Sequence, residues 1–142
     1  MATYTTEINS TWEQEEVFEY LSTFSNAREW DPGVAEGESL TIGPAVVGSV
    51  YRLAVRMAGR LVPFDYRVVD IDRPRRVVLQ AERAGIVSTD TITVEWAGPG
   101  SRVRYVAVLH GRGILRLAGP LITRPFTRMA DRAAAGLRRA LA

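Results

Sequence analysis

Short turn signals divide the middle of this chain into strand-length segments, and their spacing limits the possible folds more than any other feature. Glycine, proline or both occur at each break, and the breaks are Gly43-Pro44, Ala58-Gly59, Asp72-Arg73-Pro74, Ala84-Gly85 and Gly98-Pro99-Gly100. Both residue types favour turns because of the backbone angles that they adopt. Connections this short join antiparallel neighbours, since a parallel crossover needs a dozen or more residues. The spacing therefore predicts an antiparallel sheet.

Seven segments have the composition or the alternation of β-strands. Apolar and polar side chains alternate clearly between Val50 and Met57, where Tyr51, Leu53 and Val55 share one face. This alternation is typical of a sheet with one buried and one solvent-exposed face. The predicted strands are Ala2–Ser10, Gly37–Ile42, Val50–Met57, Leu61–Ile71, Arg76–Glu82, Ile86–Trp96 and Arg102–Gly111.

A helical region is predicted between the first two strands. Val17, Leu21 and Phe24 repeat at helical spacing after a first turn rich in glutamate, which complements the helix dipole. A second short helical turn is expected at residues 26–29. It should end at the bend formed by residues 31–33, because proline disfavours helix in the residue before it.

A long helix is predicted at the C-terminus. Pro120 and Pro125 interrupt its beginning, so a regular helix is expected only from Arg124 or Pro125 onward. Apolar residues then repeat every three or four positions as far as Leu141. One long helix on one face of an antiparallel sheet is an α+β arrangement.

Length and composition indicate one globular domain over residues 1–142, large enough to need neither disulfides nor a metal. The chain has no cysteine, which excludes thiolate chemistry and suits a reducing cytoplasm. Its N-terminus lacks the pattern of a signal peptide. The apolar stretch Ile114–Ile122 is too short to span a bilayer. We therefore expect a cytoplasmic protein without stable membrane insertion, either a monomer or a homodimer.

The charge pattern does not indicate a nucleic-acid partner. The net charge is +2 and all 18 basic residues are arginine, but acids are interleaved with them and no long run of like charge occurs. With one histidine and no cysteine a metal site is not expected. Gly111-Arg112-Gly113 lacks the residues of a phosphate loop, so no cofactor is expected either.

Three stretches give the chain a family resemblance. They are Val17–Ser22 continued by Asn26–Gly33, then Tyr66–Val78, and finally Gly98–Val106. Together with the order of the elements they resemble the START-like or Bet v 1-like (SRPBCC) superfamily, including its polyketide cyclase/dehydrase and lipid-transport group. The resemblance covers essentially the whole chain. It implies a helix-grip fold, in which a curved seven-stranded antiparallel sheet surrounds a long C-terminal helix and two short helices lie between strands 1 and 2.

Three residues are candidates for acid or base catalysis. His110 has the strand parity of Arg104, so we expect it on the outer or rim side of the sheet. Asp90 has the parity of the apolar residues of its strand. It could point inward with a raised pKa, but we expect it at the strand end, solvated or paired with an arginine such as Arg83. An inward Asp65 would resemble the polar cluster with which cyclase-type relatives enolise a ketide.

A ligand cavity is expected between the sheet and the C-terminal helix. Aromatic residues can orient a ligand and apolar ones can bury it. The residues predicted to line this cavity are Trp30, Tyr51, Leu53, Val55, Tyr66, Ile92, Val94, Tyr105, Leu109, Phe126, Met129 and Ala133. Its opening is expected between the Asp31–Val34 bend, the Met57–Arg60 turn and the Gly111–Pro120 segment, with Ile114–Ile122 as a flexible lid.

Three functions remain open at this point. The first is the binding of a small hydrophobic molecule, such as a lipid, a polyketide or an aromatic metabolite. The second is a polyketide cyclase or dehydrase that uses the aspartates and tyrosines of the cavity. The third is a partner-binding regulatory module that uses the Ile114–Ile122 segment, with a collapsed cavity. An enzyme requires at least two polar groups that converge in the cavity, whereas a carrier requires only a cavity with an apolar wall.

Overall fold

The computed structural model describes residues 1–113 and 119–142 of the chain. In these residues the helices are α1 (Gln14–Ser22), α2 (Ala27–Trp30) and α3 (Gly119–Ala140), and a 3-10 turn at Phe24–Asn26 precedes α2. The strands are β1 (Ala2–Ser10), β2 (Val34–Ser39), β3 (Val50–Met57), β4 (Arg60–Asp72), β5 (Arg76–Arg83), β6 (Ile86–Ala97) and β7 (Gly100–Gly111). This order confirms the predicted α+β helix-grip fold.

The strands of the described residues form one antiparallel sheet of seven, in the order β1-β7-β6-β5-β4-β3-β2. Strands β2 to β7 follow one another as a meander, and β1 returns to pair with β7. The register places Tyr4 of β1 opposite Ala107 of β7, and Ala107 opposite Asp90 of β6. Because directly opposed residues share a face, these three side chains lie on the concave side that faces α3.

The second strand begins three residues earlier than predicted, at Val34, and ends at Ser39. Its predicted start, Gly37, lies inside the strand because the backbone of Ser25 crosses closely there. A Cβ atom at position 37 would lie 2.2 Å from the carbonyl oxygen of Ser25, so only glycine fits. The residues from 40 to 49 form the loop to β3 instead of extending the strand.

The C-terminal helix begins at Gly119, so the prediction that it starts at Arg124 or Pro125 is wrong. Pro120 lies in the first turn, where a missing backbone N–H is tolerated. Pro125 lies inside the helix, where it removes one hydrogen bond without ending the helix. Packing against the sheet, which outweighs local propensity in most helices, accounts for this.

Two close contacts fix the C-terminal half of α3. Gly136 approaches the end of α2 so closely that a Cβ atom there would lie 1.8 Å from the carbonyl oxygen of Trp30. The buried hydroxyl of Ser10, at the end of β1, donates a 2.7 Å hydrogen bond to the carbonyl oxygen of Leu141. The helix is therefore held at the same end of the sheet at which β1 ends.

Buried side chains of α1 form part of the hydrophobic core at this end of the sheet. Val17, Phe18 and Leu21 of α1 are almost fully buried and pack against Ile92 and Val94 of β6. Trp96, which has the strand parity of Ile92 and Val94, is by contrast 74% exposed. It lies near the hairpin between β6 and β7, with its indole over Gly98.

Candidate functional site

A partly open cavity of about 270 Å³ lies between the concave face of the sheet and α3. Its wall combines inward-facing residues of the strands with one side of the helix and with the end of α2. The described residues in the wall are Tyr4, Thr6, Phe24, Ala27, Trp30, Asp31, Val34, Leu53, Val55, Met57, Phe64, Tyr66, Ile86, Ser88, Asp90, Tyr105, Ala107, Leu109, Pro125, Phe126, Met129, Ala130, Ala133, Ala134 and Leu137.

Small side chains on α3 account for the open space. Ala130, Ala133 and Ala134 all belong to the wall, while Phe126 and Leu137 of the same helix contribute large side chains. An alanine that faces the sheet leaves volume that a leucine at the same place would fill. The helix therefore lies along the concave face without filling it.

Aromatic rings form one side of the cavity. The ring of Phe24 lies edge-on to that of Tyr66, with the two centroids 5.0 Å apart. Trp30 contacts Tyr105 in the same way at 5.8 Å, and Phe64 lies 6.5 Å from Tyr66. Edge-to-face contacts of this kind hold large rings in defined positions. The aromatic wall is therefore a preformed, largely apolar surface.

A cluster of four polar side chains lies in this otherwise apolar wall. Its members are Tyr66 of β4, Ser88 and Asp90 of β6, and Tyr105 of β7, which we call the Asp90 cluster. The hydroxyl of Tyr105 donates a short hydrogen bond to Oδ2 of Asp90, and the hydroxyl of Ser88 donates to Oδ1 at 3.4 Å. The hydroxyls of Tyr66 and Ser88 are 2.9 Å apart. The cluster thus joins three strands through hydrogen bonds inside the cavity.

Burial changes the acidity of this cluster. Removal from water raises the pKa of Asp90 from 3.8 to about 6, and the negative charge of Asp31 adds to the rise. The hydrogen bonds from Tyr105 and Ser88 act in the opposite direction, because they stabilise the carboxylate. Burial and the nearby carboxylate also raise the pKa values of Tyr66 and Tyr105, so both phenols keep their protons. Asp90 is therefore the group of the cluster that titrates near neutral pH.

A second carboxylate, Asp31, lies in the wall at the end of α2. Its Oδ1 accepts a 2.8 Å hydrogen bond from the backbone N–H of Gly33, which stabilises the bend before β2. Burial raises the pKa of Asp31 as well, although that hydrogen bond opposes the rise. Its carboxylate thus has a structural role in the bend and also contributes negative charge to the cavity.

Nine of the twelve residues predicted to bind a ligand lie in this wall, and three do not. Tyr51, Ile92 and Val94 are 1% exposed and belong to the core. Their strand parity was assigned correctly, but α1 and the adjoining loop cover that end of the concave face. The nine wall residues are Trp30, Leu53, Val55, Tyr66, Tyr105, Leu109, Phe126, Met129 and Ala133.

The candidate acids and bases lie in three different surroundings. The expectation that Asp90 is solvated or paired with Arg83 is wrong, because Asp90 is only 8% exposed and bonds to Tyr105 and Ser88. Asp65 does not reach the cavity: it lies opposite Arg52 on the outer face and forms an ion pair with it at 2.7 Å. This pair lowers the pKa of Asp65. His110 lies opposite Val87 and outside the described part of the wall.

Sequence reasoning missed several polar and aromatic wall residues. Ser88 has the same parity as Asp90, two positions earlier, and could have been found from that alone. Asp31 was treated only as part of a bend, and nothing in its spacing indicated that the carboxylate faces the cavity. Phe64 has the strand parity of Tyr66, and Phe24 of the 3-10 turn lies edge-on to the same tyrosine ring, a contact that the sequence does not indicate.

Part of the predicted opening of the cavity lies in the described residues. Asp31 and Val34 from the first bend and Met57 from the β3–β4 turn lie in the wall. The predicted lid, Ile114–Ile122, falls on residues 114–118, which lie outside the described residues, and on the first turn of α3.

In the described part of the chain no helix is long and apolar enough to cross a bilayer. No group of three or more metal-binding side chains is found among the same residues.

Comparison with known proteins gives a family match over the whole chain. The sequence profile of the family "Polyketide cyclase / dehydrase and lipid transport" matches residues 1–142. No match was found among curated protein sequences.

Solved structures of the same fold come from several sources. A START superfamily protein from Mycobacterium smegmatis is 13% identical, with a TM-score of 0.78 over 99% of this chain and 97% of that one. The major latex-like protein 151 from Panax ginseng is 10% identical, with a TM-score of 0.71 over 99% and 97%. The di-domain ARO/CYC BexL from the BE-7585A biosynthetic pathway is 16% identical, with a TM-score of 0.75 over 98% of this chain and 46% of that one. At these identities the likeness concerns the fold alone.

Proposed function

The chain belongs to the polyketide cyclase/dehydrase and lipid-transport family, and from this premise we propose that it binds a small, largely hydrophobic molecule in the cavity between sheet and α3. The observation that carries the proposal is an apolar space of about 270 Å³ that the core side chains leave open. Protein interiors are normally packed without voids of this size. An open cavity with an apolar wall and a few convergent polar groups has the composition of a ligand site.

The apolar wall can supply the binding energy. Burial of apolar surface contributes about 25 cal/mol per Å², so roughly 300 Å² contributes about 8 kcal/mol, which corresponds to a micromolar Kd. Losses of ligand and side-chain freedom reduce this value. Because the rings of Phe24, Trp30 and Tyr66 are already in contact with their neighbours, little reordering of the aromatic wall is needed on binding.

A titration with the neutral dye N-phenyl-1-naphthylamine tests the proposal. We expect dye fluorescence to rise on binding to the wild-type protein, and Ala133→Phe to reduce the affinity at least about tenfold because the new ring fills the cavity. Arg132→Phe, which adds the same ring at the exposed neighbouring position, is the matched control and should bind like the wild type. Absence of dye binding, or equal affinity in Ala133→Phe, would contradict the proposal.

The endogenous ligand can be sought in parallel. Native mass spectrometry of the purified protein, followed by extraction, would identify a lipid, polyketide or aromatic metabolite that remains bound. We also propose a cytoplasmic location and a monomeric or homodimeric state for the protein.

The Asp90 cluster favours a second candidate function, a cyclase- or dehydrase-type enzyme. At neutral pH an Asp90 carboxylate with a pKa of about 6 could take a proton from the carbon next to a ketone. The electron pair would move to the ketone oxygen. Once Asp90 holds this proton, the hydroxyl of Tyr105 is free to donate to the enolate. Asp65 and Tyr51 have no part in this scheme, since neither lies in the described wall.

Exchange of the α-protons of 2-tetralone into deuterated buffer tests the second candidate. An enzyme of this kind should accelerate the exchange over buffer, and Asp90→Asn should remove the acceleration. Asp65→Asn changes the same functional group on the outer face and should leave it unchanged. Exchange no faster than in buffer, with binding intact, would leave the carrier as the better description.

The third possibility, a partner-binding module, has less support. It requires a collapsed cavity, whereas the cavity between the described residues is open. The segment proposed as its contact surface, Ile114–Ile122, falls largely outside the described residues.

A further inference from the structure

The described wall of the cavity contains negative charge without a matching positive charge. Asp31 and Asp90 are the only ionisable carboxylates among its described residues, and no arginine is among them. Two arginines approach the wall from outside: Arg138 donates to the hydroxyl of Thr6 at 3.0 Å, and Arg56 donates to the carbonyl oxygen of Pro32 at 2.8 Å. Carboxylates in an apolar space stabilise hydrogen-bond donors and destabilise a second anion.

The protons of the Asp90 cluster can be counted. Tyr105 donates its only hydroxyl proton to Asp90, and Ser88 donates its only hydroxyl proton to the same carboxylate. Since the proton of Ser88 is used, the hydrogen bond between Tyr66 and Ser88 requires Tyr66 to be the donor. While Asp90 is ionised, every hydroxyl proton of the cluster is therefore directed at another member of it.

The cluster consequently offers lone pairs and no free proton to a ligand. A carboxylate can accept about four hydrogen bonds, and Asp90 receives two. The other uncharged polar groups of the described wall, on Tyr4, Thr6 and Trp30, cannot neutralise a buried anion. At pH 7.5 Asp90 is mainly ionised, because its pKa is about 6.

From this arrangement we infer that the cavity selects apolar ligands whose buried polar group is an uncharged hydrogen-bond donor, an alcohol or a phenol, and rejects the corresponding carboxylates. The inference rests on the proposed function and narrows its ligand class. A hydroxyl group can donate to a free lone pair of Asp90. A carboxylate in the same position would face Asp90 and Asp31 without a donor from the cluster, and both anions would have lost their hydration.

Matched pairs of ligands test the inference by calorimetry at pH 7.5. One pair is 2-naphthol and 2-naphthoate, and the other is 1-decanol and decanoate. Within each pair the apolar part is similar and only the polar group differs. In the wild-type protein we expect the hydroxyl compound of each pair to bind at least about tenfold more tightly than the carboxylate.

Two isosteric variants assign the selection to the cluster. Asp90→Asn removes the charge and supplies an amide N–H₂ donor, so we expect the preference within each pair to fall below about threefold. Asp65→Asn makes the same change on the outer face, where Asp65 pairs with Arg52, and should retain the wild-type preference. Circular dichroism checks that both variants fold. The comparison of ligands in the wild-type protein remains valid even if Asp90→Asn does not fold.

The outcomes separate this inference from the proposed function. Carboxylates that bind as tightly as the hydroxyl compounds would overturn the selectivity while supporting the cavity as a ligand site. An unchanged preference in a folded Asp90→Asn variant would overturn the role of the cluster. If neither member of either pair binds, and N-phenyl-1-naphthylamine does not bind either, the proposed function fails and the inference fails with it.

Discussion

The hydroxyl of Tyr105 donates a hydrogen bond to the carboxylate of Asp90 across two neighbouring strands, inside the wall of an apolar cavity. Asp90 lies opposite Ala107 in the register of β6 and β7, so the bond joins diagonal neighbours on the concave face. An ionisable group is thereby held at a fixed position in a space that is otherwise suited to apolar molecules. Its charge affects stability as well as ligand choice.

Asp90→Asn should change how stability depends on pH. In the folded protein the pKa of Asp90 is about 6, above its ordinary value of 3.8. As the pH rises from about 4 to about 7, the unfolded chain loses this proton first, so the folded state loses about 3 kcal/mol relative to it. The Asn variant lacks this loss. Urea unfolding should show it to be more stable than the wild type at pH 7.5, with the difference disappearing near pH 4.

Asp65→Asn is the control for that measurement. The Arg52 guanidinium lowers the pKa of Asp65 in the folded state. The contribution of Asp65 to folding stability therefore has the opposite sign: it is present above pH 4 and is lost as the pH falls. The pair is half exposed, and its contribution should be below about 1 kcal/mol. If Asp65→Asn also stabilised the protein at pH 7.5, as is expected of Asp90→Asn, the pH dependence could not be assigned to the buried carboxylate of Asp90.

Tyr105→Phe should raise the pKa of Asp90. Burial raises the pKa of Asp90, and the hydrogen bond from Tyr105 opposes this rise because it stabilises the carboxylate. Without that hydrogen bond the pKa should therefore be higher. The carbon-13 chemical shift of the Asp90 carboxyl group, followed against pH, measures this directly. A pKa that stays the same or falls would mean that the hydrogen bond does not stabilise the ionised form.

Gly136→Ala should destabilise the protein although alanine favours helix. The added Cβ atom would lie 1.8 Å from the carbonyl oxygen of Trp30, so α3 must move away from α2. Overpacking of this kind costs about 1–3 kcal/mol, whereas the gain in helix propensity is about 1 kcal/mol. Thermal unfolding should show a lower Tm for Gly136→Ala, while Arg139→Ala, an exposed change on the same helix, should leave it nearly unchanged.

Ser10→Ala should loosen the end of α3. The buried hydroxyl of Ser10 donates to the carbonyl oxygen of Leu141 and accepts from the backbone N–H of Trp12 at 3.0 Å. Its loss leaves a buried carbonyl and a part-buried N–H without this partner, at a cost of about 1–3 kcal/mol. Hydrogen exchange of the last turn of α3 should be faster in the variant. Equal protection in both proteins would show that the contact does not hold the helix.

The fold could be predicted because local signals agree with the tertiary arrangement. Short turns such as Ala84-Gly85 specify antiparallel neighbours, and alternation such as that around Leu53 specifies the buried face. The limits of β2 and α3 were less predictable, because they depend on distant contacts. Gly37 is required by the backbone of Ser25, and nothing in the sequence near position 37 indicates that neighbour.

Strand parity alone located only part of the candidate site. It placed Ile92 and Val94 on the concave face, but it could not reveal that α1 covers that end and makes them core residues. For Asp90 the general rule that carboxylates stay exposed gave the wrong expectation. Its burial depends on hydrogen bonds from Ser88 and Tyr105, which only the register of β6 and β7 brings within reach.

Methyl and amide chemical-shift mapping with 2-naphthol tests the central claim most directly, because it locates the ligand as well as detecting it. We expect saturable shifts concentrated on wall residues such as Leu53, Ala107 and Ala133, while exposed sites such as Leu61 stay unchanged. Shifts confined to the outer face of the sheet, or an absence of saturable shifts together with no binding of N-phenyl-1-naphthylamine, would contradict a ligand site between the sheet and α3.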